Sequence, residues 1–199
     1  MKVSEKPLAT YPWYVRVLFG LQRRKYGGIL KPGLLWGRSP RVFLALAALY
    51  GAIDRSSSPL DPALRSLLTV RVSQINSCSF CVDINSATLA QRAGSLDKVH
   101  ALADWRGAGI FDERERAALE YAEAVTVTGS TIPEALFARL RRFFDDDAIV
   151  ELTALIAFQN LSSKFNSALD VPSQGFCDLR RADTGAVTGE GCARSRFRD

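Results

Sequence analysis

Residues 64–94, LRSLLTVRVSQINSCSFCVDINSATLAQRAG, contain the features that decide the fold. Apolar residues recur at helical spacing on both sides of a short polar break at residues 76–77, which predicts two consecutive helices. The break supplies caps for a second helix that begins at or near Cys78, and Gly94 is placed to end it. Cys81 lies three residues after Cys78, so both cysteines share one face of the first turn.

The rest of the chain also predicts helices, so we expect the all-α fold class. Residues 11–28, YPWYVRVLFGLQRRKYGG, form an aromatic and basic helix that we expect to pack over the core or on another subunit. Residues 41–55, RVFLALAALYGAIDR, are apolar almost all round, which predicts a central buried helix. Residues 31–40, KPGLLWGRSP, contain four Gly/Pro breakers and predict a loop.

Capping residues mark further helix starts. Asp61 precedes a proline at the first helical position, and Asp112 has a glutamate three residues later in a capping-box pattern that Thr131 repeats. Residues 145–147 begin a long apolar helix that runs to Pro172.

The spacing of these elements predicts a single helical domain over residues 1–175. The remaining residues, 176–199, are Gly-rich and polar, and we expect them to form a flexible tail.

Composition excludes several classes of protein. The 199 residues are 47% hydrophobic and 24% charged, as in a soluble globular domain, and no apolar run is long enough to span a membrane. The first residues lack the cleavage site of a secretory signal, so we expect a cytoplasmic protein whose thiols are kept reduced.

The net charge of +5 is unevenly placed, because residues 1–55 carry ten Lys/Arg against two Asp/Glu. Residues 112–151 carry five Arg against ten Asp/Glu. No nucleic-acid motif accompanies the basic segment, so we expect it to meet the acidic part of the same fold or of another subunit rather than nucleic acid.

The two cysteines admit several interpretations. At a helix N-terminus the unsatisfied N–H groups and the helix dipole favour thiolate, most of all at Cys78, so the pair can act as nucleophile and resolving thiol. A zinc site needs about four ligands, and only Cys177, Cys192 and the single histidine, His100, remain, so we expect no metal and no cofactor. A permanent structural disulfide closing so short a loop would add little stability. Two inert, buried cysteines remain the main alternative.

The stretch 64–94 resembles the core motif of the carboxymuconolactone decarboxylase-like family, which includes the alkylhydroperoxidase D proteins. The matching features are VSQIN leading into CxxC, an aromatic residue before Cys81, Val82 after it and the closing Gly94; with later helices the resemblance covers about residues 40–172. It implies an all-α helical bundle that forms homo-oligomers, as dimers, trimers or hexamers. It also implies that Cys81 attacks a hydroperoxide and that Cys78 then closes the disulfide.

Two positions depart from the family motif. The family has a glutamate twelve residues before the first cysteine and a histidine four residues after the second, and here these positions hold Ser66 and Asn85. Serine and asparagine can orient a water molecule, but neither titrates near neutral pH, so the proton relay is weakened. Asp83 lies on another helix face and is a poor substitute, and His100 lies beyond the glycine that ends the helix.

Two further side chains on the last long helix are candidates for substrate binding. Lys164 can hold an anionic substrate or stabilise a thiolate, although a lysine near a helix C-terminus is also favoured by the helix dipole alone. Asn160 interrupts an apolar face and can hydrogen-bond across a helix pair or face the site.

The sequence therefore predicts an antioxidant thiol–disulfide oxidoreductase with weakened, peroxidase-like CxxC chemistry. Its substrate would be a small hydroperoxide or disulfide, and a protein dithiol would act as reductant. Two alternatives stay open: a non-catalytic or redox-sensing member of the same fold, and a cysteine-independent lyase or isomerase.

Overall fold

The structure is a computed structural model that describes residues 1–177, and within that range it consists of helices joined by short loops. The α-helices are α1 (Trp13–Tyr26), α2 (Lys31–Trp36), α3 (Pro40–Ile53), α4 (Pro62–Ile75), α5 (Ser79–Ala93), α6 (Asp97–Ala101), α7 (Glu113–Thr126), α8 (Glu134–Leu140) and α9 (Asp146–Ala168). Short 3₁₀ helices cover Leu8–Thr10 and Leu102–Asp104. The predicted all-α fold class is confirmed.

Helix α4 is the centre of the molecule, and it packs against α5, α7 and α9. Its residues Leu67, Leu68, Val70 and Val72 are fully buried in the main core. This arrangement packs α5, which begins at the two cysteines, against the fully buried side chains of α4.

The helix assigned to the centre from its composition, α3, lies at the surface instead. Of its apolar residues only Phe43 is buried, while Val42, Leu44 and Leu49 are exposed. The prediction of a central buried helix was wrong because α3 faces the rest of the chain with one side only. Its outer apolar side has no neighbour within residues 1–177.

Most predicted helix starts are confirmed. The side chains of Asp61, Asp112 and Asp145 each accept the backbone N–H three residues later, and Asp112 completes the capping box with Glu115. Gly94 ends α5 in the left-handed conformation, with φ of 75°, which L side chains rarely adopt.

Three local predictions were wrong. The stretch 31–40 is not only a loop, because α2 forms within it and buries Leu34 and Leu35. The N-cap of α8 is Pro133 without any side-chain bond, so Thr131 does not cap it. The last helix, α9, ends at Ala168, earlier than Pro172.

The segment after α9 folds back onto α5. The carboxylate of Asp83 accepts backbone hydrogen bonds from Gln174 and Gly175, both at 2.8 Å, and from Cys177 at 2.7 Å. Phe176 and Cys177, which the sequence assigned to the tail, are buried in a cluster around the two cysteines. The rest of the predicted tail lies outside the described residues.

Two further predictions concern a membrane-spanning helix and the partner of the basic segment, residues 1–55. None of its helices is both long enough and apolar enough to cross a membrane. Arg55 of the basic segment forms an ion pair with Glu151 of the acidic segment.

Candidate functional site

The two cysteines stand at the start of α5, as the sequence predicted. Ser77 adopts a left-handed conformation, with φ of 51°, and turns the chain so that Cys78 becomes the N-cap. The sulfur of Cys78 accepts the backbone N–H of Cys81 at 3.2 Å. Both side chains are free thiols. Cys78 thus takes the place that a serine or aspartate oxygen usually occupies at a helix start.

The two thiols differ in acidity. The hydrogen bond from the Cys81 thiol, together with the backbone N–H of Cys81, lowers the pKa of Cys78 below its usual value. The same hydrogen bond and burial raise the pKa of Cys81 far above its usual value. Cys78 is therefore the more acidic thiol of the pair, in the direction that its place at the helix N-terminus predicted.

Helix α9 presents a row of polar side chains to the two sulfurs. Asn166 donates from Nδ2 to Sγ of Cys81 at 3.2 Å, and this contact lowers the pKa of Cys81. The hydroxyl of Ser162 acts in the same direction on Cys81, and that of Ser167 on Cys78. None of these residues was predicted from the sequence, although polar side chains four and five positions apart on an otherwise apolar helix are a visible signal.

A cavity of about 440 Å³ leads to one of the two sulfurs. Cys81 lines this cavity, whereas Cys78 lies behind it. The two residues are only 2% and 1% exposed, so among the described residues this cavity brings open space next to an otherwise buried pair. Leu21 and Tyr50 also line it and are 58% and 41% exposed, which shows that the cavity opens to the surface.

The cavity is mainly apolar and aromatic. Its walls come from α1, α2 and α3 on one side and from α5 and α9 on the other, and Trp36 is held in place by stacking on Phe165 with ring centroids 3.6 Å apart. Its aromatic lining consists of Tyr26, Trp36, Phe43, Tyr50, Phe80 and Phe158. The expectation that the aromatic-basic N-terminal helix packs over the core is confirmed, because α1 covers the cysteine site.

Ser66 does not face the cavity. It is buried in α4, where its hydroxyl accepts a hydrogen bond from Nη1 of Arg92 at 3.1 Å. The same guanidinium binds both oxygens of Asp54, at 2.8 and 2.9 Å. An arginine–aspartate pair therefore adjoins the position where the family has its glutamate.

Asn85 does line the cavity, one turn after Cys81. Its Nδ2 donates to the hydroxyl of Ser73 at 3.2 Å, and Gln159 donates to the same hydroxyl at 2.9 Å. Ser73 in turn donates to the backbone carbonyl of Thr69. This series of hydrogen bonds contains only neutral groups. It therefore positions side chains and carries no proton to or from Cys81.

The two substrate-binding candidates on α9 lie away from the cavity. Asn160 accepts a hydrogen bond from Asn76 at 2.9 Å and donates to Thr126 at 3.0 Å, so it joins helices α4, α7 and α9. Lys164 is exposed. Neither is among the residues that line the cavity.

The other titratable groups near the motif have different roles. Asp83 is occupied by the backbone of the segment that follows α9, as described above, and His100 is exposed on α6. Within residues 1–177 no three His, Cys, Asp or Glu side chains come together in a group that could hold a metal ion.

The fold and the buried dithiol define an all-helical protein with a cysteine pair at a helix start, and comparisons identify the family. The carboxymuconolactone decarboxylase family matches residues 40–124. The uncharacterized protein YnjA of Escherichia coli K12 is 50% identical over 173 residues, which is 87% of this chain and 95% of YnjA. The chain therefore belongs to the carboxymuconolactone decarboxylase/AhpD-like family.

Two solved structures of peroxidase-related proteins share the fold. The alkylhydroperoxidase AhpD core from Ralstonia eutropha JMP134 superimposes with a TM-score of 0.76 at 25% identity, over 84% of this chain and 88% of that one. A protein from Silicibacter sp. TM1040 superimposes with a TM-score of 0.75 at 26% identity, over 82% and 87% of the two chains.

Proposed function

We propose that the protein is a thiol–disulfide oxidoreductase that reduces organic hydroperoxides with Cys81 and Cys78. The observation that carries this proposal is the position of Cys81, which lines a surface-connected cavity while the second thiol lies one helical turn away behind it. A nucleophile with substrate access and a neighbouring resolving thiol are the two groups that the reaction needs.

Cys81 is the cysteine that lines the cavity, whereas Cys78 is the one with the lowered pKa. One sequence of steps gives each of them a role. The sulfur of Cys81 attacks the distal oxygen of a hydroperoxide, ROOH, and passes its thiol proton to the thiolate of Cys78. The O–O bond breaks, Cys81 becomes a sulfenic acid, and the alkoxide takes a proton from water to leave as ROH. Cys78 thus serves as the base that the family's histidine and glutamate would otherwise provide.

The second step closes the disulfide. The sulfur of Cys78 attacks the sulfur of the Cys81 sulfenic acid, and its proton leaves with the hydroxyl group as water. Overall, one thiol, one thiolate, ROOH and one proton from the solvent give a disulfide, ROH and water, so two electrons pass from the sulfurs to the peroxide oxygens. A dithiol, small or on a protein, returns the pair to its reduced state by exchange.

The neutral surroundings of Asn85 limit the rate of this reaction. General acid–base assistance is typically worth about 10²–10⁴-fold, and its loss slows peroxide reduction more than thiol–disulfide exchange, which needs only thiolate and access. A redox sensor is the second candidate function, because a buried pair whose attacking thiol has a raised pKa responds slowly and to sustained oxidation.

Differential alkylation with peptide mapping tests the proposal. We expect one thiol of the pair to be alkylated near neutral pH in the native protein, and this labelling to disappear when cumene hydroperoxide forms the Cys78–Cys81 disulfide. Peptide mapping assigns the label to individual cysteines, so alkylation of Cys177 or Cys192 is not counted as alkylation of the pair.

Two variants identify the attacking thiol. Cys78→Ser removes both the base and the resolving thiol, so it should react more slowly than wild type and stop at a sulfenic acid on Cys81 that dimedone traps. Cys81→Ser should not react with the peroxide. Labelling of wild type only after denaturation, with no disulfide formed by any hydroperoxide, would contradict the function. A sulfenic acid on Cys78 in the Cys81→Ser variant would reverse the two roles.

A further inference from the structure

The carboxamide of Asn166 lies beside the sulfur of Cys81, and both residues line the cavity. Asn166 is 1% exposed, lines the cavity, and contacts Cys81 from a position 85 residues later in the chain. Its Nδ2 donates to Sγ of Cys81 at 3.2 Å. The nitrogen end of this amide is therefore already hydrogen-bonded to the sulfur.

The other end of the amide has no hydrogen bond. Oδ1 of Asn166 is a buried acceptor without a partner among residues 1–177. A buried carbonyl oxygen without a donor is costly and uncommon in folded proteins, and near a reactive group it indicates the place of a ligand. A ligand that satisfies this oxygen must carry a hydrogen-bond donor at the end that meets Cys81.

We propose that Asn166 is a catalytic residue that accepts a hydrogen bond from the O–H of a bound hydroperoxide while it holds the sulfur of Cys81. This inference rests on the proposed function and adds the residue that recognises the O–H of the hydroperoxide. A hydroperoxide carries its hydrogen on the distal oxygen, the atom that the sulfur attacks. A disulfide or a dialkyl peroxide has no such donor.

The hydrogen bond lasts through the first step. When the sulfur–oxygen bond forms and the O–O bond breaks, the distal oxygen keeps its hydrogen and becomes the hydroxyl of the sulfenic acid. The departing RO⁻ takes its proton from water. Asn166 therefore aligns the distal oxygen before attack and holds the same hydroxyl afterwards, until the second thiol displaces it.

The ratio of two rate constants isolates the effect of Oδ1. Cumene hydroperoxide and the neutral 4,4′-dithiodipyridine both have aromatic bodies and both react with the thiolate of Cys81, but only the first carries a donor. The ratio of their second-order rate constants, measured in the same variant at one pH, is independent of the fraction of thiolate. In Asn166→Leu we expect this ratio to fall about tenfold, the effect of one lost hydrogen bond.

Asn166→Asp separates the two ends of the amide. A carboxylate keeps an acceptor oxygen but loses the N–H donor and adds a negative charge beside the sulfur. We expect both rate constants to fall because the pKa of Cys81 rises further, while their ratio stays within about twofold of wild type. A merely structural role of Asn166 would not move the two variants apart in this way.

Controls keep the result interpretable. Thr153 lies on α9, as Asn166 does, but away from the cavity, and its hydroxyl contacts Tyr121 of α7. Thr153→Val removes this hydroxyl and should leave the ratio unchanged. If Asn166→Leu does not fold, Asn166→Ala removes the same polar atoms and carries the same expected fall. A wild-type ratio in Asn166→Leu or in Asn166→Ala overturns the role of Asn166. A ratio that falls as far in Asn166→Asp as in Asn166→Leu also overturns it. Wild type that reacts with the disulfide but with no hydroperoxide refutes the proposed function instead.

Discussion

At the scale of single residues, Ser66 and Asn85 replace the glutamate and histidine of the family's proton relay. The two replacements differ in their access to the cavity. Asn85 borders the cavity and replaces a histidine with a neutral amide that already serves Ser73. Ser66 lies deeper, where Arg92 occupies the space beside it and binds Asp54. Only the first position has direct access to a substrate.

Restoring both family residues tests whether the missing relay limits turnover. We predict that Ser66→Glu with Asn85→His raises peroxidase turnover by about tenfold or more, because a histidine beside the cavity can accept the thiol proton. The gain should appear as pH rises through about 6.5, since only neutral imidazole is a base.

Ser66→Glu alone is the matched control. Its carboxylate would pair with Arg92 rather than face the cavity, so we expect little change in turnover. Stopped-flow assays from pH 5.5 to 8.5 measure the effect. A folded double variant with wild-type turnover would show that the relay is not limiting.

At the scale of helices, the sequence predicted what depends on neighbours in the chain and missed what depends on distant contacts. Asp61, Asp112 and Gly94 act on groups within about four residues of themselves, so their patterns were sufficient. The contact of Asn166 with Cys81 spans 85 residues, and no local pattern contains it. The helix α3 was misplaced because apolar composition does not tell which element covers it.

The link between α5 and the segment after α9 provides a test of element packing. In Asp83→Ala, three backbone N–H groups lose a buried carboxylate, so we predict that the free energy of unfolding falls by about 3 kcal/mol. Urea titration followed by circular dichroism measures it. Asp97→Ala, at an exposed position on α6, is the control and should change stability by less than about 0.5 kcal/mol. A similar small change for Asp83→Ala would mean that this anchor contributes little.

At the scale of the whole molecule, the outer side of α3 is an apolar surface beside the site that no other described element covers. Val42, Leu44 and Leu49 are exposed there, and the same helix lines the cavity with Leu46 and Ala47 on its other side. Single apolar residues are common on protein surfaces, but a whole helix side is typical of an interface. We propose that this side contacts a second copy of the chain in a homo-oligomer.

Charge placed on this surface should separate the subunits. We predict that Val42→Asp with Leu49→Asp converts an oligomer into a folded monomer, because buried, unpaired carboxylates oppose association. Sedimentation velocity measures the change. Val127→Asp, an exposed apolar position outside α3, should keep the oligomer. An oligomer that persists in the α3 double variant would place the interface elsewhere, and a wild-type monomer would refute the proposal.

The use of Cys78 as the cap of α5 has a consequence for the recycling of the protein. A capping thiolate stabilises the dithiol form, because the sulfur receives a backbone N–H and faces the positive end of the helix. When the sulfur enters a disulfide it gives up its charge and much of this stabilisation. Stabilising the reduced state makes the couple a stronger oxidant. Cellular dithiols of quite ordinary reducing strength would then suffice to regenerate it.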